Sequence, residues 1–174
     1  MTGSRHPQKS IHPPNFRALL FPVILLVLLV SNVSGQQIKI NPGAWLKYSG
    51  ATIIVNGNVA NAGSILNSGT VGMNISGDWQ NSGTFVAGAA THKVGGNWSG
   101  NGTFVSAGST IDFTGNSSTA IGAGNFNNIA ISGSGTKTAL VSLTASGNFD
   151  LISGTFILNN ATSYNLTISG NYFQ

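Results

Sequence analysis

The chain has 174 residues and a formal net charge of +4, and the excess sits at its start, where Arg5, Lys9 and Arg17 lie within the first 17 residues. From Gln36 onward four lysines (Lys39, Lys47, Lys93, Lys137) face three aspartates (Asp78, Asp112, Asp150) without Arg, Glu or Cys, a balance of +1. Four scattered lysines exclude a nucleic-acid surface, which needs clustered cations, the missing Cys excludes disulfides and thiolate metal sites, and one histidine with three aspartates argues against an enzyme.

Residues 1–35 have the layout of a secretory signal peptide: a basic, polar stretch from Met1 to Arg17, an apolar run of 13 from Ala18 to Val30, and the small residues Val33-Ser34-Gly35 at a cleavage site. A spanning helix needs about 20 apolar residues, so the segment is expected to be cut after Gly35. Membrane contact is then limited to export, and residues 36–174 are expected to be secreted or held at the cell surface.

That remainder contains 22 Gly and one Pro, Pro42. Glycine costs a helix about 1 kcal/mol relative to Ala at each position, so no helix is predicted. Apolar residues instead alternate: Val71, Met73 and Ile75; Ile111 and Phe113; Ile129 and Ile131; Val141 and Leu143; Phe156 and Leu158; Tyr164, Leu166 and Ile168. A period of two predicts short strands with one buried face. The Asn, Gly and Ser clusters between them predict tight turns.

The segments also repeat. Ser76 to Gly88 (SGDWQNSGTFVAG) and Gly95 to Gly108 (GGNWSGNGTFVSAG) share a frame of Gly, Asn or Asp, an aromatic, a spacer and Gly-Thr-Phe-Val. Related frames begin at Gly57-Asn58-Val59, Gly147-Asn148-Phe149 and Gly170-Asn171-Tyr172, and the leading glycines are 20, 19, 51 and 23 residues apart. A period near 20 with short strands predicts an all-β fold, a parallel β-helix of some seven coils in which the long interval holds two degenerate turns. Trp79 is expected to stack on Trp98 and Phe85 on Phe104, with Val59, Phe149 and Tyr172 in the same interior column as the tryptophans.

The strings FNNIAISGSG (Phe126 to Gly135), LTASGNFDLISGTFIL and YNLTISGNY resemble the glycine- and asparagine-rich repeats of large secreted bacterial adhesin-like β-helix proteins, over roughly Ile54 to Tyr172. The resemblance implies a passenger or stalk at the bacterial surface, with sorting or anchoring modules further downstream. The repeat opened at Gly170 stops at Gln174, so the chain is expected to be a fragment that continues into downstream repeats of the same polypeptide and self-associates at its end when isolated.

Candidate sites are few. Trp79 and Trp98 are either a carbohydrate-stacking pair or a core ladder, and the apolar residues at equivalent frame positions favour the core. Asp78, Asp112 and Asp150 are expected to be solvated turn or strand residues rather than calcium ligands, which come as clustered carboxylates. His92 has no Cys or Glu companion for a metal, and Gly95 to Gly102 lacks the Lys-Ser/Thr ending of a phosphate loop. Only Thr136-Lys137-Thr138 has the Thr-X-Thr form of an ice-binding face. The expected function is a non-catalytic, adhesin-like structural stalk or adhesive surface, without cofactor or metal, whose partners are glycans or cell-surface polymers. The alternative is a carbohydrate-active β-helix enzyme, similar to a polysaccharide lyase, with catalytic residues outside this chain.

Overall fold

The computed structural model describes residues 35–159 and 163–174, so the expected export segment lies outside the described residues except for Gly35. The described residues are all β: 21 short strands and no helix, wound as a parallel β-solenoid of about seven turns with about 19 residues per turn.

Each coil contributes three strands. The first holds β1 (Gln36–Ile40), β2 (Trp45–Tyr48) and β3 (Ile53–Val55), and the second β4 (Gly57–Asn61), β5 (Ser64–Asn67) and β6 (Met73–Ile75). Then come β7 (Trp79–Asn81), β8 (Thr84–Val86) and β9 (Thr91–Val94), followed by β10 (Trp98–Ser99), β11 (Thr103–Val105) and β12 (Thr110–Phe113). The fifth coil holds β13 (Thr119–Ile121), β14 (Asn125–Phe126) and β15 (Asn128–Ile131), and the sixth β16 (Thr136–Ala139), β17 (Leu143–Ala145) and β18 (Phe149–Leu151). The last holds β19 (Thr155–Leu158), β20 (Leu166–Ile168) and β21 (Tyr172–Phe173). The first strands of all seven coils form one sheet, side one, and the third strands form another, side three. The second strands form two sheets, β2-β5-β8-β11 and β14-β17-β20, so this side breaks between the fourth and fifth coils.

Because strands pair in parallel and in register, equivalent side chains form columns along the solenoid. Side one carries Ile38, Val59, Trp79, Trp98, Ile121, Ala139 and Leu158 in one inward column. The Trp79 and Trp98 rings lie 5.3 Å apart and 18° from parallel, and Phe85 and Phe104 stack at 5.5 Å and 13°, as the repeat predicts. This interior, closed from all three sides, covers the apolar faces that a parallel sheet has to bury.

Phe149 and Tyr172 are not in the tryptophan column. They continue a column on side three, after Ile53, Ile111 and Ile129. The frame that recurs from Gly147 has moved by one side, and the 51 residues between Gly96 and Gly147 are two and two-thirds coils rather than whole turns with two missing copies. The repeated motif therefore specifies a corner with its two flanking strands, and it works at more than one corner of the same solenoid.

The local reason is visible at both corners. The Asp78 N–H donates to Asn58 Oδ1 at 2.8 Å, the Asn97 N–H to Asp78 Oδ1 at 2.7 Å, and the Ala120 N–H to Asn97 Oδ1 at 2.7 Å. At the other corner the Asn148 N–H donates to Asn128 Oδ1 at 2.8 Å and the Asn171 N–H to Asn148 Oδ1 at 3.0 Å. A short side chain with an acceptor oxygen thus bonds the backbone one coil on, at the point where the chain turns from one side to the next. The preceding glycine is required by close approach: a Cβ at Gly96 would strike Asp78 Oδ1 and the backbone of Gly77.

Candidate functional site

Outward positions of side one form a shallow groove of about 430 Å³ parallel to the solenoid axis, with Gln37, Asn58, Asp78, Gln80, Asn97 and Ser99 along it. Strand pairing sets the rungs about 4.8 Å apart. The Asn58, Asp78 and Asn97 side chains are already fixed by the backbone bonds of the corner ladder. Each spends one oxygen there, and the Nδ2 groups of Asn58 and Asn97 and the second oxygen of Asp78 have no partner among the described residues. The groove thus offers a fixed row of donor, acceptor and donor beside the exposed amide of Gln80. No cation and no aromatic face lines it. A smaller groove of about 320 Å³ lies on side three beside Ile54, Asn74 and Lys93.

Trp79 and Trp98 are 0% and 2% exposed, enclosed by Phe85, Phe104 and Phe126. Neither indole presents a face that a sugar ring reaches, so the stacking-pair expectation finds no accessible surface at these residues. The Trp79 Nε1 has no hydrogen-bond partner in the core.

The three aspartates are dispersed. Asp78 is the exposed corner residue of the ladder, whereas Asp112 and Asp150 share an outward column on side three, separated by Ala130. Asp112 is not a solvated residue: it is only 9% exposed and accepts a 2.7 Å hydrogen bond from Ser132 Oγ. Among the described residues no three His, Asp or Glu groups come together as metal ligands.

His92 points inward from β9 and is 1% exposed. Its Nδ1 accepts the Met73 backbone N–H at 3.2 Å, so Nε2 carries the proton and donates to the Ala87 carbonyl at 2.9 Å. Burial holds the imidazole below its ordinary titration range, and the Ala87 hydrogen bond opposes that only in part. The ring also meets Phe85 edge to face at 5.1 Å. It is a neutral core residue that ties two coils together.

Lys137 is an inward residue that the sequence does not reveal as one. Thr136 and Thr138 flank it on the opposite face of β16, and its ammonium is fully enclosed, donating to the Gly115 carbonyl at 2.7 Å and the Gly135 carbonyl at 3.2 Å. Desolvation pulls the amine below the usual lysine range. Thr138 lies between Ala120 and Ile157 in its column, so threonines do not repeat up that face. The corners also bury amides: Asn67 donates to the carbonyls of Val71 and Ala87, each at 3.0 Å, and accepts the Gly69 N–H at 2.9 Å.

No protein-family profile, curated protein or solved structure matches the chain.

Proposed function

We propose that this chain is an exported, non-catalytic segment of a cell-surface protein, an adhesin-like stalk whose outer side doubles as an adhesive surface for neutral glycans or similar cell-surface polymers. The observation that supports this reading is the side-one groove, where the polar side chains of Asn58, Asp78 and Asn97 recur at strand spacing and are held by backbone hydrogen bonds. Groups fixed in advance lose little conformational entropy on contact, and many weak contacts along a polymer add through effective concentration. A neutral, hydroxyl-rich strand suits such a row better than a phosphate chain, because the groove has no Lys or Arg. The inward placement of His92 and the distance along the fold between Asp78 and the other two aspartates support a structural role over a catalytic one.

The test combines location and binding. Protease shaving of producing cells should release the body from the outer surface, and immobilised neutral polysaccharides should retain the purified chain. Gln37→Ala combined with Gln80→Ala should weaken retention while leaving thermal unfolding unchanged. Retention of the chain inside the cell, or polysaccharide turnover that is abolished by Asp112→Asn or Asp150→Asn, would refute the proposal.

A further inference from the structure

The strand register sets Asn58, Asp78, Asn97 and Ala120 one above the other along the side-one groove. In the first three, Oδ1 is committed: each accepts the backbone N–H of the next coil's residue, at 2.7 or 2.8 Å. That bond decides which polar atom is left to face solvent. It is the Nδ2 donor of Asn58, the second carboxylate oxygen of Asp78 and the Nδ2 donor of Asn97, and all three residues are exposed.

The free groups therefore alternate donor, acceptor, donor, and like chemistry returns at every second rung, about 9.6 Å apart at the spacing of paired strands. At the middle rung Gln80, two residues beyond Asp78 and outward from β7, adds an exposed amide from the neighbouring column. Ala120 has no polar side chain, so the alternation stops at that rung in the middle of the solenoid.

We infer that the ligand of this groove is an extended β-1,4-linked chain of neutral pyranoses lying along the solenoid axis. The inference rests on the glycan reading of the groove and adds the linkage and the charge. In such a ribbon each sugar advances the chain by slightly more than one strand spacing, and successive sugars are turned over, so the same edge faces the protein at every second sugar. Asn58 and Asn97 then meet like edges of two sugars, while Asp78 and Gln80 meet the opposite edge of the sugar between them. An α-1,4-linked chain curls and leaves the row after a sugar or two. A uronate chain brings carboxylates against Asp78, and a sulfated one finds no Lys or Arg in the groove. Because no aromatic face lines the groove, the sugars are held through hydroxyls at their edges rather than by ring stacking.

Calorimetric titration of the full chain with cellohexaose, xylohexaose, maltohexaose and hexagalacturonate tests the inference. At least one of the two β-1,4-linked neutral probes should bind about tenfold or more tighter than maltohexaose, and hexagalacturonate should not bind. The trisaccharide of the tighter probe should bind markedly better than its disaccharide, since three rungs are fixed. Asp78→Asn keeps Oδ1 for the Asn97 N–H and turns the middle acceptor into a donor. It should weaken binding of the tighter probe about threefold or more and relax the rejection of hexagalacturonate, with an unchanged thermal midpoint; if that midpoint falls, Gln80→Ala, at an exposed position, carries the test of weakened binding. Equal affinity for maltohexaose and the β-1,4 probes, or retention on neutral polysaccharides without binding of either β-1,4 hexasaccharide, would overturn the inference and leave the glycan reading standing. No retention on any neutral polysaccharide would overturn both.

Discussion

Asn61 donates from Nδ2 to Oδ1 of Asn81 at 2.7 Å, one coil further on, and the pair lies inside the solenoid at 1% and 5% exposure. Asn61 also donates to the Thr84 carbonyl at 2.8 Å, and Asn81 to the Thr103 carbonyl at 3.0 Å. The first amide therefore donates to the second, and each also donates to a carbonyl at the start of a side-two strand one coil on. A buried polar group left without its partner costs about 1–3 kcal/mol. Asn81→Ala should lower unfolding free energy by about that amount in urea titrations, and Asn81→Asp by more, because a carboxylate then faces the Thr103 carbonyl.

The tryptophan column gives a second expectation. Trp79→Ala removes a fully buried indole from between Val59 and Trp98 and should cost about 3–5 kcal/mol. Trp79→Phe should cost markedly less, because a smaller ring keeps contact with Phe85 and leaves no unpartnered indole N–H. Chemical denaturation of the two variants side by side checks the ordering.

His92 makes stability depend on pH in a predictable direction. Its folded-state titration is depressed by burial, so the unfolded chain binds the proton more readily. The stabilisation is complete above the ordinary histidine value of about 6.5 and declines as pH falls below it. Residues 36–174 contain no other histidine. Unfolding midpoints should therefore hold steady from about pH 8 to pH 7 and drop towards pH 5, and His92→Phe should flatten that drop, since ordinary carboxylates titrate near pH 4.

Two glycines separate close approach from backbone conformation. Gly96 has the Asp78 carboxylate and the Gly77 backbone where a Cβ would sit, whereas Gly108, at φ +89°, has open space. Gly96→Ala should shift the thermal midpoint more than Gly108→Ala, whose cost is limited to the left-handed conformation, about 1 kcal/mol. If Asp78 is shortened to Ala as well, part of the Gly96→Ala penalty should disappear, because the clash with its side chain is gone while the backbone contact remains.

The sequence carries the coil period and the Trp79–Trp98 and Phe85–Phe104 stacks plainly, because those residues recur at the same distance from a glycine and from each other. It misplaces Phe149 and Tyr172 for the same reason: the motif around them is a corner signal, and identical corner chemistry at a different corner looks like the same column. Lys137 and Asp112 defeat alternation in another way. Each is held by groups one coil away, the carbonyl of Gly115 for the lysine and the Ser132 hydroxyl for the aspartate, and a partner 20 residues distant is not signalled by local polarity. The groove is legible only in part. Asn58, Asp78 and Asn97 stand out as a recurring position, but that their oxygens are spent on the next coil's backbone is a property of the winding.

The bonds that join one coil to the next run along the solenoid axis, as in Thr84 N–H to the Gly63 carbonyl and Thr103 N–H to the Gly83 carbonyl, each 2.8 Å. A pull on one end accordingly strains the outermost coil first, opening its three short ladders while the inner coils stay wound. Each coil of about 19 residues that peels away releases roughly 65 Å of slack at the reach of an extended chain. Pulled from one end, the fold should therefore yield length coil by coil rather than all at once.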